Sequence, residues 1–253
     1  MTEKTKPNLP KRVKNELKFR DLTVKSKVTV AGCFYRIVFT SPDLAGFSSQ
    51  GFDDHVKVFF PPAGGDFARP SVTDDGIVWG EGARPVSRDY TPLAFDAALN
   101  ELTLDFYIHD GGVASQWAEN AAPGDTLLIG GPRGSLVIPT HYAFQLYICD
   151  ESGLPAVRRR LLSLPENSAP IVLVNSHHAQ THEYLSEFQG AQIEWLDSES
   201  IAERVRNLEF PASDYFVWAT GEGHDVKKLS DELLETRGLD GDYVRAVAYW
   251  HKK

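Results

Sequence analysis

The pattern of apolar residues changes once along this chain, between residues 139 and 142, and that change limits the fold more than any one motif. Before it lie short runs rich in Val, Ile, Phe, Thr and Tyr: FRDLTVKSKVTV (19–30), YRIVFT (35–40), VKVFF (56–60), LTLDFYIH (102–109), TLLIG (126–130) and SLVIP (135–139). Turn residues such as Pro61-Pro62 and Pro123-Gly124-Asp125 separate them, which predicts antiparallel strands forming a barrel. After the change, FQLYICD (144–150), PIVLVNS (170–176), AQIEWLD (191–197), YFVWATGEG (215–223) and VRAVAYW (244–250) read as strands. Between them LPAVRRRLLSL (154–164), SIAERVRNL (200–208) and DVKKLSDELLETRG (225–238) have helical spacing. Strands alternating with helices make a mostly parallel sheet covered by helices. The expectation is a two-domain chain: a β-barrel over 1–140, with 1–15 as a flexible leader, and an α/β domain over 141–253.

Composition removes several classes of function. The net charge is −9, yet residues 1–27 hold nine Lys/Arg against three acids, so the rest of the chain carries −15. An acidic body of that kind argues against nucleic acid as a partner. No apolar run approaches the roughly 20 residues that a membrane span needs, and the charged N-terminus lacks the apolar core of a secretory signal. A cytoplasmic protein with no membrane insertion is expected, and a monomer. The two cysteines, Cys33 and Cys149, are too few for a disulfide framework or a four-thiolate cluster. They read as small buried hydrophobes, so redox chemistry here requires an organic cofactor. His177, His178 and His182 lie in a loop-like stretch without a ligand pattern that would fix a metal geometry, and no metal site is expected.

Three segments can carry chemistry. In Arg88-Asp89-Tyr90-Thr91-Pro92, alternate side chains of a strand share a face, so Arg88 and Tyr90 can meet one flat, phosphate-bearing ligand while Thr91 adds a hydroxyl. The same residues also fit an ordinary strand end with a surface Arg. The run His109-Asp110-Gly111-Gly112-Val113-Ala114-Ser115-Gln116-Trp117 leaves a strand and opens a helix. Glycines permit close backbone approach, and a helix N-terminus offers N–H groups to phosphate; a plain glycine turn fits as well. Asp150-Glu151-Ser152-Gly153-Leu154-Pro155 and Gly221-Glu222 follow two strands of the α/β half, at the edge where such sheets bind ligands. Tyr249-Trp250 can cover a ligand or fill core, and Lys57, Arg133 and Arg245 are cations on or beside strands.

Taken in order, RDYTP, FYIHDGGVASQWA, PGDTLLIGGPRGS, ICDESGLPAVRRRL, W-x-T-G-E (218–222) and the terminal YWH resemble the siderophore-interacting protein family. The similarity runs from Lys11 to His251. It implies a ferredoxin-reductase-like fold and an FAD-dependent ferric-siderophore, or ferric-chelate, reductase that takes electrons from NADPH or NADH. It implies FAD contacts at Arg88, Asp89, Tyr90, Thr91, His109, Asp110, Gly112, Val113, Ala114, Ser115, Trp117 and Trp250. It implies nicotinamide-side contacts at Asp150, Glu151, Ser152, Gly153, Leu154, Pro155, Gly221 and Glu222, and Lys57, Arg133 and Arg245 as the patch that holds an anionic ferric chelate. No catalytic side chain is expected, because the flavin carries the chemistry. Many relatives have a second Arg where Leu93 stands, and Arg84 is the substitute considered for its phosphate contact. Two other readings stay open: a flavin reductase exchanging electrons with a protein such as ferredoxin, and a siderophore-binding protein without activity.

Overall fold

The computed structural model describes the chain apart from residues 1–5, 7, 63, 64, 66, 177 and 253. It divides into two compact units, Arg12–Leu136 and Val137–Lys253 together with Met1–Lys11.

The first unit contains β1 (Lys11–Lys14), β2 (Phe19–Val30), β3 (Phe34–Thr40), β4 (Val56–Phe60), β5 (Pro70–Thr73), β6 (Gly76–Trp79), β7 (Val86–Tyr90), β8 (Ala94–Asp96), β9 (Glu101–Tyr107), the helix α1 (Val113–Asn120), β10 (Thr126–Gly130) and β11 (Gly134–Val137). Seven strands form an antiparallel half-barrel in the order β7-β4-β10-β2-β3-β9-β8, while β1 pairs with β11 and β5 with β6. Alternation sets the register: Leu22 and Val24 of β2, Ile37 and Phe39 of β3, and Leu102, Leu104 and Phe106 of β9 all turn into one core. Ala114 and Ala118 let α1 lie close against that core. Arg36 and Asp105 face each other across β3 and β9 in a two-pronged ion pair of 2.8 and 2.7 Å.

Two expectations need correcting here. Part of the leader, Lys11–Lys14, is strand β1, because β11 offers it an edge. Gly134 lies so close to it that a Cβ there would sit 3.0 Å from the Val13 carbonyl. The strand expected over 102–109 ends at Tyr107, since the His109 N–H is taken by the Ser115 hydroxyl at 3.1 Å.

The second unit contains β12 (Phe144–Asp150), α2 (Leu154–Ser163), β13 (Ile171–Asn175), β14 (Gln192–Leu196), α3 (Ser198–Asn207), β15 (Tyr215–Glu222), α4 (Gly223–Asp231) and β16 (Val244–Trp250). All five strands are parallel, in the order β14-β13-β12-β15-β16. Leu146 and Ile148 point toward Ile201 and Val205 of α3 and Leu229 of α4, whereas the alternate residue Tyr147 meets α2. There the guanidinium of Arg160, 2% exposed, donates to the Tyr147 hydroxyl at 2.7 Å and to the carbonyls of Ile138 and Pro139 at 3.0 and 2.6 Å. Such donors must be satisfied once buried, so this arginine fixes the segment that enters β12. Helix α4 stops at Asp231 and runs on as a π-helical turn through Thr236, closed by Arg237 N–H to Glu232. Both cysteines are buried, and burial pushes the Cys149 thiol well above its ordinary value. Among the described residues no helix is long and apolar enough to cross a membrane.

Candidate functional site

In the half-barrel unit, β7 lies on β4 with Arg88 opposite Val58, Asp89 opposite Lys57 and Tyr90 opposite Val56. Side chains opposite one another share a face, so Arg88 and Tyr90 stand together and Asp89 turns the other way, to pair with Lys57 at 2.6 Å. Arg88 is exposed, and among the described residues its guanidinium bonds only the neighbouring Ser87 carbonyl, at 2.8 Å. The Tyr90 ring rests on Phe106 with centroids 4.5 Å apart, and burial raises its phenol far above the ordinary range. Thr91 and Leu93 are buried behind it, and the Leu93 N–H reaches the Thr103 carbonyl at 2.9 Å. Arg84 instead covers the Trp79 ring, 4.9 Å from its centroid.

After β9 the chain turns through Gly111, at φ +75°, into α1. Gly112 caps the helix without a side chain to bond its free N–H groups, and the first turn holds no acid. A Cβ on Gly112 would sit 2.2 Å from the His109 ring, so a larger residue there would make that exposed ring swing aside. Ser115 steadies the turn through His109 N–H, and the His109 ring meets the Asp110 carbonyl at 3.2 Å. Val113 is exposed and Ala114 buried. Trp117, expected as a ligand contact, is partly buried and packs against Phe39, Phe60 and Phe106 at the margin of the core. Because Phe106 touches both Tyr90 and Trp117, the end of β7 and the helix flank one stretch of sheet. An uncapped helix start suits a pyrophosphate, an exposed guanidinium strengthens that grip, and a half-buried phenol offers a flat wall. These residues fit FAD.

In the α/β unit, the strand order reverses between β12 and β15, the place where such sheets bind ligands. Asp150 ends β12, 8% exposed. It accepts the Trp250 indole N–H at 2.6 Å and the Ser152 N–H at 2.9 Å. Burial raises its pKa, and those hydrogen bonds oppose the rise. Trp250 is thus anchored by its nitrogen while its ring stays 42% exposed. Glu151, Ser152 and Gly153 form a single tight turn into α2, whose first residues Leu154 and Pro155 are buried. Gly153 is packed closely, since a Cβ would lie 2.5 Å from Cys149 and 2.6 Å from Thr220. Glu222 caps α4 by accepting the N–H groups of His224 and Asp225 at 2.8 and 3.3 Å, and it also accepts the Lys252 N–H at 3.2 Å. Desolvation works against ionisation of Glu222, but these three bonds outweigh it and hold the carboxyl low.

A cavity of about 580 Å³ opens at this edge between α3 and α4, lined by Asp150, Gly221, Asn175, Ser198 and Asp225 among others. Asn175 donates to the Ser198 hydroxyl at 2.7 Å, which donates to Asp225 at 3.1 Å. Sequence reasoning missed these three. Their signal was positional, a polar residue at or within three places after a strand end, and it becomes specific only once the strand order is known.

Lys57 and Arg133 both belong to the half-barrel unit. Lys57 sits opposite Gly130, and exposed Arg133 follows on the loop between β10 and β11. Arg245 belongs to the α/β unit, on β16 opposite Trp218.

Residues 23–136 match the siderophore-interacting FAD-binding domain, and residues 142–253 match the siderophore-interacting protein domain. The chain is 51% identical over 255 residues to the NADPH-dependent ferric-chelate reductase of Escherichia coli (strain K12), covering 98% of each. It is 27% identical to the ferric vibriobactin reductase ViuB of Vibrio cholerae, over 86% of this chain and 83% of that one. Among solved structures, a siderophore utilization protein from T. fusca superposes with a TM-score of 0.87 at 33% identity, covering 96% of both chains. SipS from Aeromonas hydrophila, a siderophore-interacting protein, superposes at 0.76 with 25% identity, over 93% of this chain and 99% of that one. With both halves matched, their motifs in order and the ferredoxin-reductase-like fold in place, this chain belongs to the siderophore-interacting protein family.

Proposed function

We propose that this protein is an FAD-dependent, NADPH-driven ferric-chelate reductase that acts on ferric siderophores in the cytoplasm as a monomer. The observation that carries the reading is the exposed Arg88 guanidinium on the same strand face as Tyr90, flanked by the uncapped start of α1. When bound, FAD accepts electrons in a pair and releases them singly, which matches a two-electron donor to one-electron ferric acceptors. The chain's own work is grip and placement. Arg88 and the α1 N–H groups neutralise the pyrophosphate, Tyr90 and Thr91 wall the ring, and His109, Asp110 and Ser115 shape the turn beside it. At the α/β edge, Asp150 through Pro155 with Gly221 and Glu222 receive the nicotinamide end. Hard oxygen ligands hold Fe(III) much more tightly than Fe(II), so reduction loosens the iron without an acid or base from the protein.

The test is anaerobic. Adding NADPH to the purified protein should bleach its flavin, and adding a ferric chelate should restore the colour while trapped ferrous iron accumulates. A protein with no bound flavin, or one whose reduced flavin passes electrons to ferredoxin and not to the chelate, would overturn the reading.

Lys57 and Arg133 on the half-barrel unit, and Arg245 on the α/β unit, each supply positive charge in an acidic protein, and these cations draw in anionic chelates. Reversing Lys57 and Arg133 together (K57E with R133E) should raise the apparent KM for an anionic chelate roughly tenfold. Flavin content and NADPH oxidation by a neutral acceptor should not change. An equal loss with both acceptors would show that these residues do not hold the chelate.

A further inference from the structure

Arg20 lies on the face of β2 that carries Leu22 and Val24, and it is 4% exposed. Its Nε donates to the Asp43 carbonyl at 3.0 Å, and its Nη1 donates to the carbonyls of Lys18 and Gly131 at 3.3 and 3.1 Å. Those bonds use three of its five N–H groups, and among the described residues the two on Nη2 have no acceptor. No carboxylate forms an ion pair with it among the described residues, and burial lowers its pKa against the weaker opposing pull of Glu16 and Asp43. A buried cation is ordinarily paired with an anion. Among the described residues its direct partners are carbonyl dipoles and the face of Phe47, 5.3 Å away, and the Glu16 and Asp43 carboxylates act on it without an ion-pair contact.

Arg20 lines a pocket of about 250 Å³ together with Lys14, Glu16, Ser48, Gln50 and Gly131. Neither the Ser48 hydroxyl nor the Gln50 side-chain amide is engaged in a hydrogen bond among the described residues, and Lys14 stands exposed at the rim. We propose that this pocket is an oxyanion-binding site, in which a carboxylate or phosphate group sits on Nη2 of Arg20. Ser48 and Gln50 donate to it, Lys14 adds positive charge, and Glu16 at the rim opposes it. The site shares no residue with the proposed flavin, nicotinamide or chelate contacts. It does not depend on the reductase reading. It touches function through Gly131, whose carbonyl Arg20 holds two residues before Arg133.

Glu16 and Lys14 make the test sharp, because both are exposed and either can be changed without disturbing the core. The FAD-loaded, ¹⁵N-labelled protein is titrated at constant ionic strength with inorganic phosphate, with acetate, and with chloride as the control. The Arg20 Nε and the Ser48 and Gln50 amides are followed. Saturable shifts with phosphate or acetate and none with chloride are expected, and the better of the two identifies the group the site prefers. Glu16→Gln should tighten binding about threefold and Lys14→Gln weaken it about threefold, the scale of single exposed charges. Arg20→Lys, which loses the planar donor fork, should weaken it at least tenfold. If Arg20→Lys does not fold, the opposite signs at positions 14 and 16 still decide. Shifts that rise linearly and equally with chloride, or unchanged affinities in both surface variants, would overturn the proposal.

Discussion

Arg88→Ala is expected to purify as a folded but nearly colourless protein. The residue is exposed and, among the described residues, its guanidinium reaches nothing but the carbonyl of Ser87, so its removal leaves the half-barrel intact. What it removes is the charge at the place where a pyrophosphate would meet the free N–H groups of α1. A hydrogen bond to a charged group contributes about 1.5–3 kcal/mol, equivalent to a roughly 10- to 150-fold loss of FAD affinity. Fluorescence titration of the apoprotein measures it directly. Arg88→Lys keeps the charge but loses the two-pronged geometry, and it should fall between the parent and the alanine variant. An alanine variant that binds FAD as tightly as the parent would remove the central residue of the proposed site.

Gly221→Ala should produce the second large effect, this time on the α/β unit. Gly221 has φ +140°, a conformation that side-chain-bearing residues reach only at a cost of about 1–3 kcal/mol. An added Cβ would also lie 2.9 Å from Asp150 Oδ2 and 3.2 Å from its Cγ. Asp150 has little freedom to yield, because Ser152 and the Trp250 indole hold its two oxygens. Together these set the loss of stability at about 3 kcal/mol, a fall in melting temperature of roughly 10 °C. Reduction by NADPH should slow while FAD stays bound. Adding Trp250→Phe removes one of the two restraints on Asp150, and the double variant should recover part of the lost stability. If Gly221→Ala melts within about 2 °C of the parent, the carboxylate is not fixed as described.

The sequence carried the architecture well wherever apolar spacing was dense. β2, β4, β10 and β12 have the ends that their residues imply, since a strand buried on one or both faces leaves a clear periodic record, and β16 does so through its apolar run although it is only partly buried. It carried the exposed strands poorly. β5 and β6 show their side chains mostly to solvent, so hydrophobic pattern has nothing to mark them, and only backbone pairing makes them strands. The same limit applied at the site. Strand alternation placed Arg88 and Tyr90 on one face, but it also placed Asp89 on the other, where Lys57 holds it. Trp117 and Glu222 stand in motif positions, and each also has a local structural contact, one packed against the core and the other capping a helix. A motif names which residues gather and does not say what each does there. The Arg20 pocket had no sequence signal, because a single basic residue in an apolar strand looks like an imperfect alternation.

The burial of the two thiols has a practical consequence for a catalyst of this type. Ferrous iron and reduced flavin both react with oxygen, so their surroundings collect peroxide and radicals. Sulfur is the side-chain element most easily damaged by them, through its thiolate or its thioether. Here Cys149 is sealed in and kept protonated, Cys33 is also enclosed, and the sequence contains one methionine. The protein offers its own by-products very little sulfur to oxidise.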